Sequence, residues 1–284
     1  MDVKRAKTAG FCMGVSLALK KLDDELKKKN IAGSRIVTLG SIIHNPQVIE
    51  EYEEKGVVRA TDLEDLIPGD RVLIRAHGIT REKERRLAKL GVVVIDATCP
   101  KVKRAQLGIA AMHDNGQTLL LFGEADHPEV RGLLSYAGPE AKVFGSLEEF
   151  LALPLDSGIT YFLAAQTTQD IGEYNKIIDS AETKLGYKPV ALSTVCSATR
   201  RRMQETIELA RGVDIVVVVG GYESGNTRRL AEAVKAEGKK ALHIEMPGEI
   251  PSSFFAKGEL VGLTAGASTP KYLIDDAYKV LQKL

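Results

Sequence analysis

Cys12, Cys99 and Cys196 are the only cysteines in 284 residues, and they stand at long, nearly even intervals. An odd number so widely spread does not make a disulfide framework; it leaves thiols that are buried, reactive or bound to a metal. Three thiolates gathered at one point would hold a soft metal, either zinc or an iron–sulfur cluster. Structural zinc usually takes its ligands in close pairs and would need a fourth protein ligand, most simply a histidine. The long intervals suit a central cofactor better than a zinc finger. A cluster on three cysteines would leave one iron open to a substrate oxygen and could also deliver electrons. The competing explanation is that cysteine is a small hydrophobe and the three are unrelated core side chains.

The elements around each cysteine favour a shared role. Strand-like β-branched runs fall at 34–40, 70–78, 91–99, 117–124, 160–168, 214–221 and 259–268, with amphipathic helical stretches at 15–29, 102–116 and 201–212 among them. Strands alternating with helices of this length predict βαβ units and mostly parallel sheets. Each cysteine opens a similar series: helix, strand, polar tip, helix, short strand, acidic turn, strand, second polar tip. After Cys12 the tips are SIIHN (41–45) and RAHG (75–78); after Cys99 they are EADHPE (124–129) and AAQTT (164–168); after Cys196 they are YESGN (222–226) and TAGAS (264–268). This repeat predicts an α/β chain of three small units, 1–98, 99–193 and 194–284, the last with a C-terminal helix. Their parallel sheets are expected to form a pseudo-threefold trefoil around a central cavity. Ligands bind beyond the carboxyl ends of parallel strands, so the tips would converge on that cavity, with the cysteines near its axis.

The tips carry His44, His77, His127, Ser224, Asn226 and Ser268, all able to donate hydrogen bonds. Such a ring suits a multiply charged oxyanion, and a diphosphate is the natural candidate. A single histidine is equally well a satisfied core or surface side chain, and His113 and His243, outside the tips, are read that way. Glu129 is the tip carboxyl group whose neighbours suggest catalysis. In a dry pocket near an anion it is expected to hold its proton and serve as an acid; otherwise it is a helix N-terminal carboxylate favoured by the macrodipole. Thr167 and Thr168 could orient a hydroxyl or pass a proton, or be strand-end threonines with strong β propensity. GGYESGNT (220–227) has the glycine spacing of a P-loop, but Asn226 takes the lysine position. Nucleotide hydrolysis is therefore not expected, while a phosphate cradle at a helix start is.

Composition sets the remaining bounds. With 39 basic against 38 acidic residues there is no electrostatic reason to expect nucleic acid or an anionic membrane as partner. No secretory h-region and no long apolar run are found, so the expected location is cytoplasmic.

Nine short stretches then match a known family in order: GFCMGV (10–15), IIHNPQVIE (42–50), RAHG (75–78), DATCPKV (96–102), HPEV (127–130), QTT (166–168), TVCSAT (194–199), SGNT (224–227) and TAGAST (264–269). Together they resemble the LytB/IspH type, the 4-hydroxy-3-methylbut-2-enyl diphosphate reductases, over essentially the whole chain. The resemblance implies one [4Fe-4S] cluster held by Cys12, Cys99 and Cys196 with one open iron. It implies that His44, His77, His127, Ser224, Asn226 and Ser268 hold the substrate diphosphate, that Thr167 lies near the substrate hydroxyl, and that Glu129 is the proton source. The reaction implied is two-electron reductive dehydroxylation to isopentenyl and dimethylallyl diphosphates, the last step of the non-mevalonate isoprenoid route, with ferredoxin or flavodoxin as one-electron donor. Arg75-Ala76 stand near the usual serine before AHG, Gly225 where a second serine is common, and Met203 where glutamine is usual; KVKRAQ follows DATCP in place of a segment ending Val-His. No appended RNA-binding module is expected after TAGAST. On residues alone two other functions compete: a zinc-dependent hydrolase, and a non-enzymatic iron–sulfur sensor of a metabolite or redox state.

Overall fold

In the computed structural model of the chain, which describes residues 1–28 and 34–284, every strand pairing among the described residues is parallel. The chain begins with β1 (Asp2–Arg5), α1 (Met13–Lys27), β2 (Ile36–Leu39), α2 (Pro46–Glu54), β3 (Val57–Ala60), β4 (Arg71–Ile74), α3 (Arg81–Leu87) and β5 (Val93–Asp96). It continues through α4 (Pro100–Asp114), β6 (Thr118–Phe122), α5 (Pro128–Leu134), β7 (Lys142–Phe144), α6 (Leu147–Ala152), β8 (Tyr161–Ala165), α7 (Ile171–Leu185) and β9 (Val190–Ala191). It ends with α8 (Ser197–Arg211), β10 (Ile215–Val219), α9 (Gly225–Ala236), β11 (Lys240–Ile244), β12 (Leu260–Ala265) and α10 (Lys271–Lys283). All seven β-branched runs contain a strand, and the three helical stretches fall on α1, α4 and α8. Residue 29, the last of the expected 15–29 helix, lies outside the described residues.

The strands form three four-stranded sheets of one order: β3-β2-β4-β5, β7-β6-β8-β9 and β11-β10-β12-β1. In the first two, the chain leaves one central strand for the outer strand on its own side and the other central strand for the opposite outer strand; in the third it leaves β10 for β11, while the outer strand beside β12 is the chain's first, β1. The carboxyl ends of the central pair therefore flank a crevice, the place where open parallel sheets bind ligands. The central strands are largely apolar because both faces are covered: Ile215–Val219 is buried at every position. Alternate residues serve the two faces. Val217 and Val219 pack with Ile274, Ala277 and Leu281 of α10, whereas Val216 and Val218 pack with Ala210 of α8 and Leu230 and Val234 of α9.

Two compact bodies are present. A terminal body comprises Met1–Ser16, Ile43–Glu54 and Ser197–Leu284, and a central body comprises Leu17–Ile42 and Lys55–Cys196. The terminal body holds the β11-β10-β12-β1 sheet; the central body holds the other two. Hydrogen bonding also shifts the expected division by one strand. β1 falls within 1–98 but pairs with β12, Asp2 opposite Leu260 and Arg5 opposite Leu263.

Candidate active site

Each cysteine follows an outer strand, and its N–H donates to the second residue past the end of the adjoining central strand. Cys99 donates to the Ala76 carbonyl at 2.9 Å and Cys196 to that of Thr167 at 2.8 Å, both in the central body; Cys12 donates to Ala267 at 3.1 Å in the terminal body. A helix begins at the next residue in every case, α4 at Pro100, α8 at Ser197 and α1 at Met13. The three cysteines are half-buried and joined by no disulfide. Each cysteine occupies the same repeated backbone station, beside the N–H end of a helix where negative charge is favoured, a setting that fits a thiolate ligand of a cluster.

Within the central body the residues of the second sheet's tips are bonded to one another. His127 caps the start of α5, its Nδ1 accepting from the Glu129 N–H at 3.1 Å. An accepting Nδ1 leaves Nε2 as the nitrogen that carries the proton of the neutral ring. The His77 and His127 rings meet edge to face with centroids 5.4 Å apart. Glu129 is 1% exposed. One carboxylate oxygen accepts the Thr167 backbone N–H at 2.6 Å, and the other lies 2.9 Å from the Thr167 hydroxyl. Since the Thr167 carbonyl accepts from Cys196, carboxyl, hydroxyl and thiol-bearing backbone form one connected series. Thr168, by contrast, accepts from Gln166 Nε2 at 3.0 Å within the tip itself.

The terminal body holds the neutral donors. Ser224 caps α9, accepting from the Thr227 N–H, which makes GGYESGNT a strand-to-helix cradle with Asn226 on its first turn. Asn226 is buried, and its Nδ2 has no hydrogen-bond partner among the described residues; the same holds for the Thr227 hydroxyl. The Ser268 hydroxyl donates to the His44 carbonyl at 2.9 Å, and Asn45 Oδ1 accepts from the Val48 N–H at the start of α2. An unsatisfied buried amide is costly, and a phosphate oxygen would satisfy it.

Two supporting residues had no clear sequence signal. Arg202, 3% exposed, donates to the Ala265 carbonyl at 2.8 Å and the Gly10 carbonyl at 2.7 Å. It thereby ties the start of TAGAS to the segment before Cys12. It is one of three consecutive arginines, so sequence alone could not single it out. His243 Nε2 lies 2.8 Å from the Gly220 carbonyl, holding the base of the YESGN tip. Tyr222 of that tip has its hydroxyl on the Glu249 carboxylate, which pushes its pKa up to about 12. His113 instead packs against Gly138 at the far end of α4. Of the departures, Gly225 opens α9 and Met203 packs against the apolar cluster under β10.

The whole chain has close relatives. The family model described as LytB protein matches residues 3–282. A 4-hydroxy-3-methylbut-2-enyl diphosphate reductase of Nitratidesulfovibrio vulgaris is 55% identical over 284 residues, covering 100% of both chains. One from Geobacter sulfurreducens is 40% identical, covering 100% of this chain and 98% of its own. Among solved structures, the E-1-hydroxy-2-methyl-but-2-enyl-4-diphosphate reductase of Plasmodium falciparum shares the fold with a TM-score of 0.92 at 23% identity, covering 99% of this chain and 88% of its own. A second solved reductase, described as the terminal enzyme of the non-mevalonate pathway, is 36% identical with a TM-score of 0.70 over 100% of this chain and 99% of its own. With its cysteine stations, its Glu129–Thr167 pair and this full-length likeness, the chain belongs to the LytB protein family.

Proposed function

We propose that this chain reduces 4-hydroxy-3-methylbut-2-enyl diphosphate to isopentenyl and dimethylallyl diphosphates. The allylic C–O bond breaks, the hydroxyl leaves as water, a C–H bond forms, and two electrons and two protons are consumed. Cys12, Cys99 and Cys196 would hold a [4Fe-4S] cluster, which when bound supplies the electrons and a Lewis-acid position for the hydroxyl. The reductant is a one-electron carrier protein, a ferredoxin or flavodoxin. The three repeats, 1–98, 99–193 and 194–284 with β1 lent to the last, would each carry two of the tips, and the cytoplasm is the expected place of work; among the described residues no helix is long and apolar enough to cross a membrane.

The observation that carries this reading is the buried carboxyl–hydroxyl pair of Glu129 and Thr167, bonded to the backbone of Cys196. The Thr167 hydroxyl can give its own proton to the leaving oxygen and take in its place a proton held on Glu129, 2.9 Å away. Thr167 thereby orients and protonates a leaving oxygen while its own backbone N–H keeps the carboxyl group in place. His44, His77, His127, Ser224, Asn226 and Ser268 would bind the diphosphate. They can do so largely as neutral donors, which hold an anion without a compensating excess of charge.

Anaerobic purification followed by iron, sulfide and zinc analysis, then assay with the allylic diphosphate and a reduced one-electron carrier, tests the reading. Four irons and four sulfides per chain with formation of both products are expected. Zinc in place of iron, or diphosphate binding without product, would overturn it in favour of a hydrolase or a sensor.

A further inference from the structure

The three sheets repeat closely enough at their carboxyl ends to be compared residue by residue. Just past the first central strand each has a glycine whose N–H bonds the end of the outer strand: Gly40 to Ala60 at 2.8 Å, Gly123 to Phe144 at 2.9 Å and Gly220 to Ile244 at 2.8 Å. Just past the second central strand stand Arg75, Gln166 and Gly266. Each accepts a turn bond on its carbonyl, from Gly78, Gln169 and Thr269 at 2.9, 3.0 and 3.2 Å. These are equivalent positions facing equivalent crevices, occupied by three different chemistries.

Two of the three are complete in themselves. Gln166 accepts the Glu124 N–H on Oε1 and donates from Nε2 to Thr168, each at 3.0 Å. At Gly266 there is no side chain, and none could fit: a Cβ would lie 2.1 Å from the Thr227 hydroxyl. The third is not complete. The Arg75 guanidinium lies over Gly40, where a Cβ would come within 2.8 Å of Nη1. Its Nε is buried without a hydrogen-bond partner, and no carboxylate pairs with Arg75 among the described residues. Burial, and then the charge of Arg131, pull its pKa below the ordinary guanidinium value. Arg131 itself is on Asp126 at 3.1 Å. A partly buried cation with a second cation as its charged neighbour weakens the fold unless an anion joins it.

We propose that Arg75 is a binding residue for the diphosphate, a fixed cation at the crevice between β2 and β4 that acts beside the neutral donors. This rests on the proposed diphosphate substrate. The assignment explains why only one of three equivalent positions carries charge. An anionic substrate needs the cation once, and its place two residues before His77 puts it in the tip that already offers an imidazole. The planar guanidinium can give two parallel N–H bonds to one phosphoryl group, which an ammonium cannot.

The test uses cluster-loaded full-length protein, with Arg75→Met and Arg75→Lys, and inorganic pyrophosphate as probe. Without ligand, R75M is expected to melt at or above the wild-type temperature, because an uncompensated charge has gone. Its pyrophosphate Kd should rise about tenfold or more, as loss of one charge-assisted contact predicts. R75K should fall between, and KM for the allylic diphosphate should rise by a larger factor than kcat falls. An R75M protein that melts lower than wild type and binds pyrophosphate equally well would overturn the assignment and make Arg75 a packing residue. If wild type binds no pyrophosphate and turns over no allylic diphosphate, the functional reading fails and takes this inference with it. Wild-type binding that R75M shares sinks the inference alone.

Discussion

The carboxyl end of the β7-β6-β8-β9 sheet and that of the β11-β10-β12-β1 sheet share a backbone plan and differ in what they leave unfinished. At the first, Glu129 and Thr167 satisfy each other twice, and Thr167 accepts from Cys196. At the second, Asn226 Nδ2 and the Thr227 hydroxyl are buried without hydrogen-bond partners among the described residues. A closed pair is suited to holding and moving a proton in a fixed geometry. Open donors are suited to receiving a ligand that completes them. On the proposed roles, one repeated scaffold would support acid chemistry at one sheet end and anion binding at another, the difference lying in a few side chains beyond the strands.

The largest expected effect is one in which the two ends should not differ. Cys196→Ser at the first and Cys12→Ser at the second should each abolish turnover and leave less than a full complement of iron and sulfide. A variant of either that keeps four irons and wild-type turnover would break the equivalence of the cysteine stations. Next come substitutions that should separate the ends. Glu129→Gln keeps shape but removes the acid, and kcat should fall about a hundredfold to ten-thousandfold with pyrophosphate binding unchanged. Asn226→Ala should do the reverse, weakening pyrophosphate binding about tenfold while kcat falls less. Thr167→Val is a finer probe. It removes the hydroxyl but keeps the backbone N–H to Glu129, so its kcat should lie between those of wild type and E129Q. A T167V rate equal to wild type would remove the hydroxyl from the proton path.

Much of this was legible in the sequence because strand ends announce themselves. β-branched runs stopping at polar tips placed all six tips, and recurrence of the cysteine before each series indicated the repeat. What was not legible depends on contacts across long stretches of chain. DVKR gives no strand signal of its own, yet as β1 it completes the sheet of residues 194–284 by pairing with β12. Glu129 and Thr167 both looked like candidates, but nothing in HPEV or QTT says that one carboxyl group would take both the hydroxyl and the N–H of one threonine. Arg75 read only as a departure from a pattern. Its meaning came from comparison with Gln166 and Gly266, whose equivalence is set by backbone hydrogen bonds rather than by residue type.

Arg202 is where the comparison can be sharpened with the smallest chemical consequence. The terminal body's open donors keep their shape without partners of their own, so something beneath them must hold the backbone. Arg202 does this by bonding the carbonyls of Ala265 and Gly10, one at the start of the TAGAS tip and one shortly before Cys12. Arg202→Met should therefore cost stability, on the order of 2–4 kcal/mol, because two buried carbonyls lose charged donors. The melting temperature should drop by several degrees. At a temperature where the variant is fully folded, iron content should be less firmly retained under chelator challenge, while kcat per intact cluster stays far closer to wild type than that of E129Q. Arg202→Lys should recover part of the stability, since an ammonium can reach one carbonyl but not span both. If R202M instead matched E129Q in kcat while melting like wild type, Arg202 would belong with the proton path, and the contrast between a chemical end and a binding end would have to be redrawn.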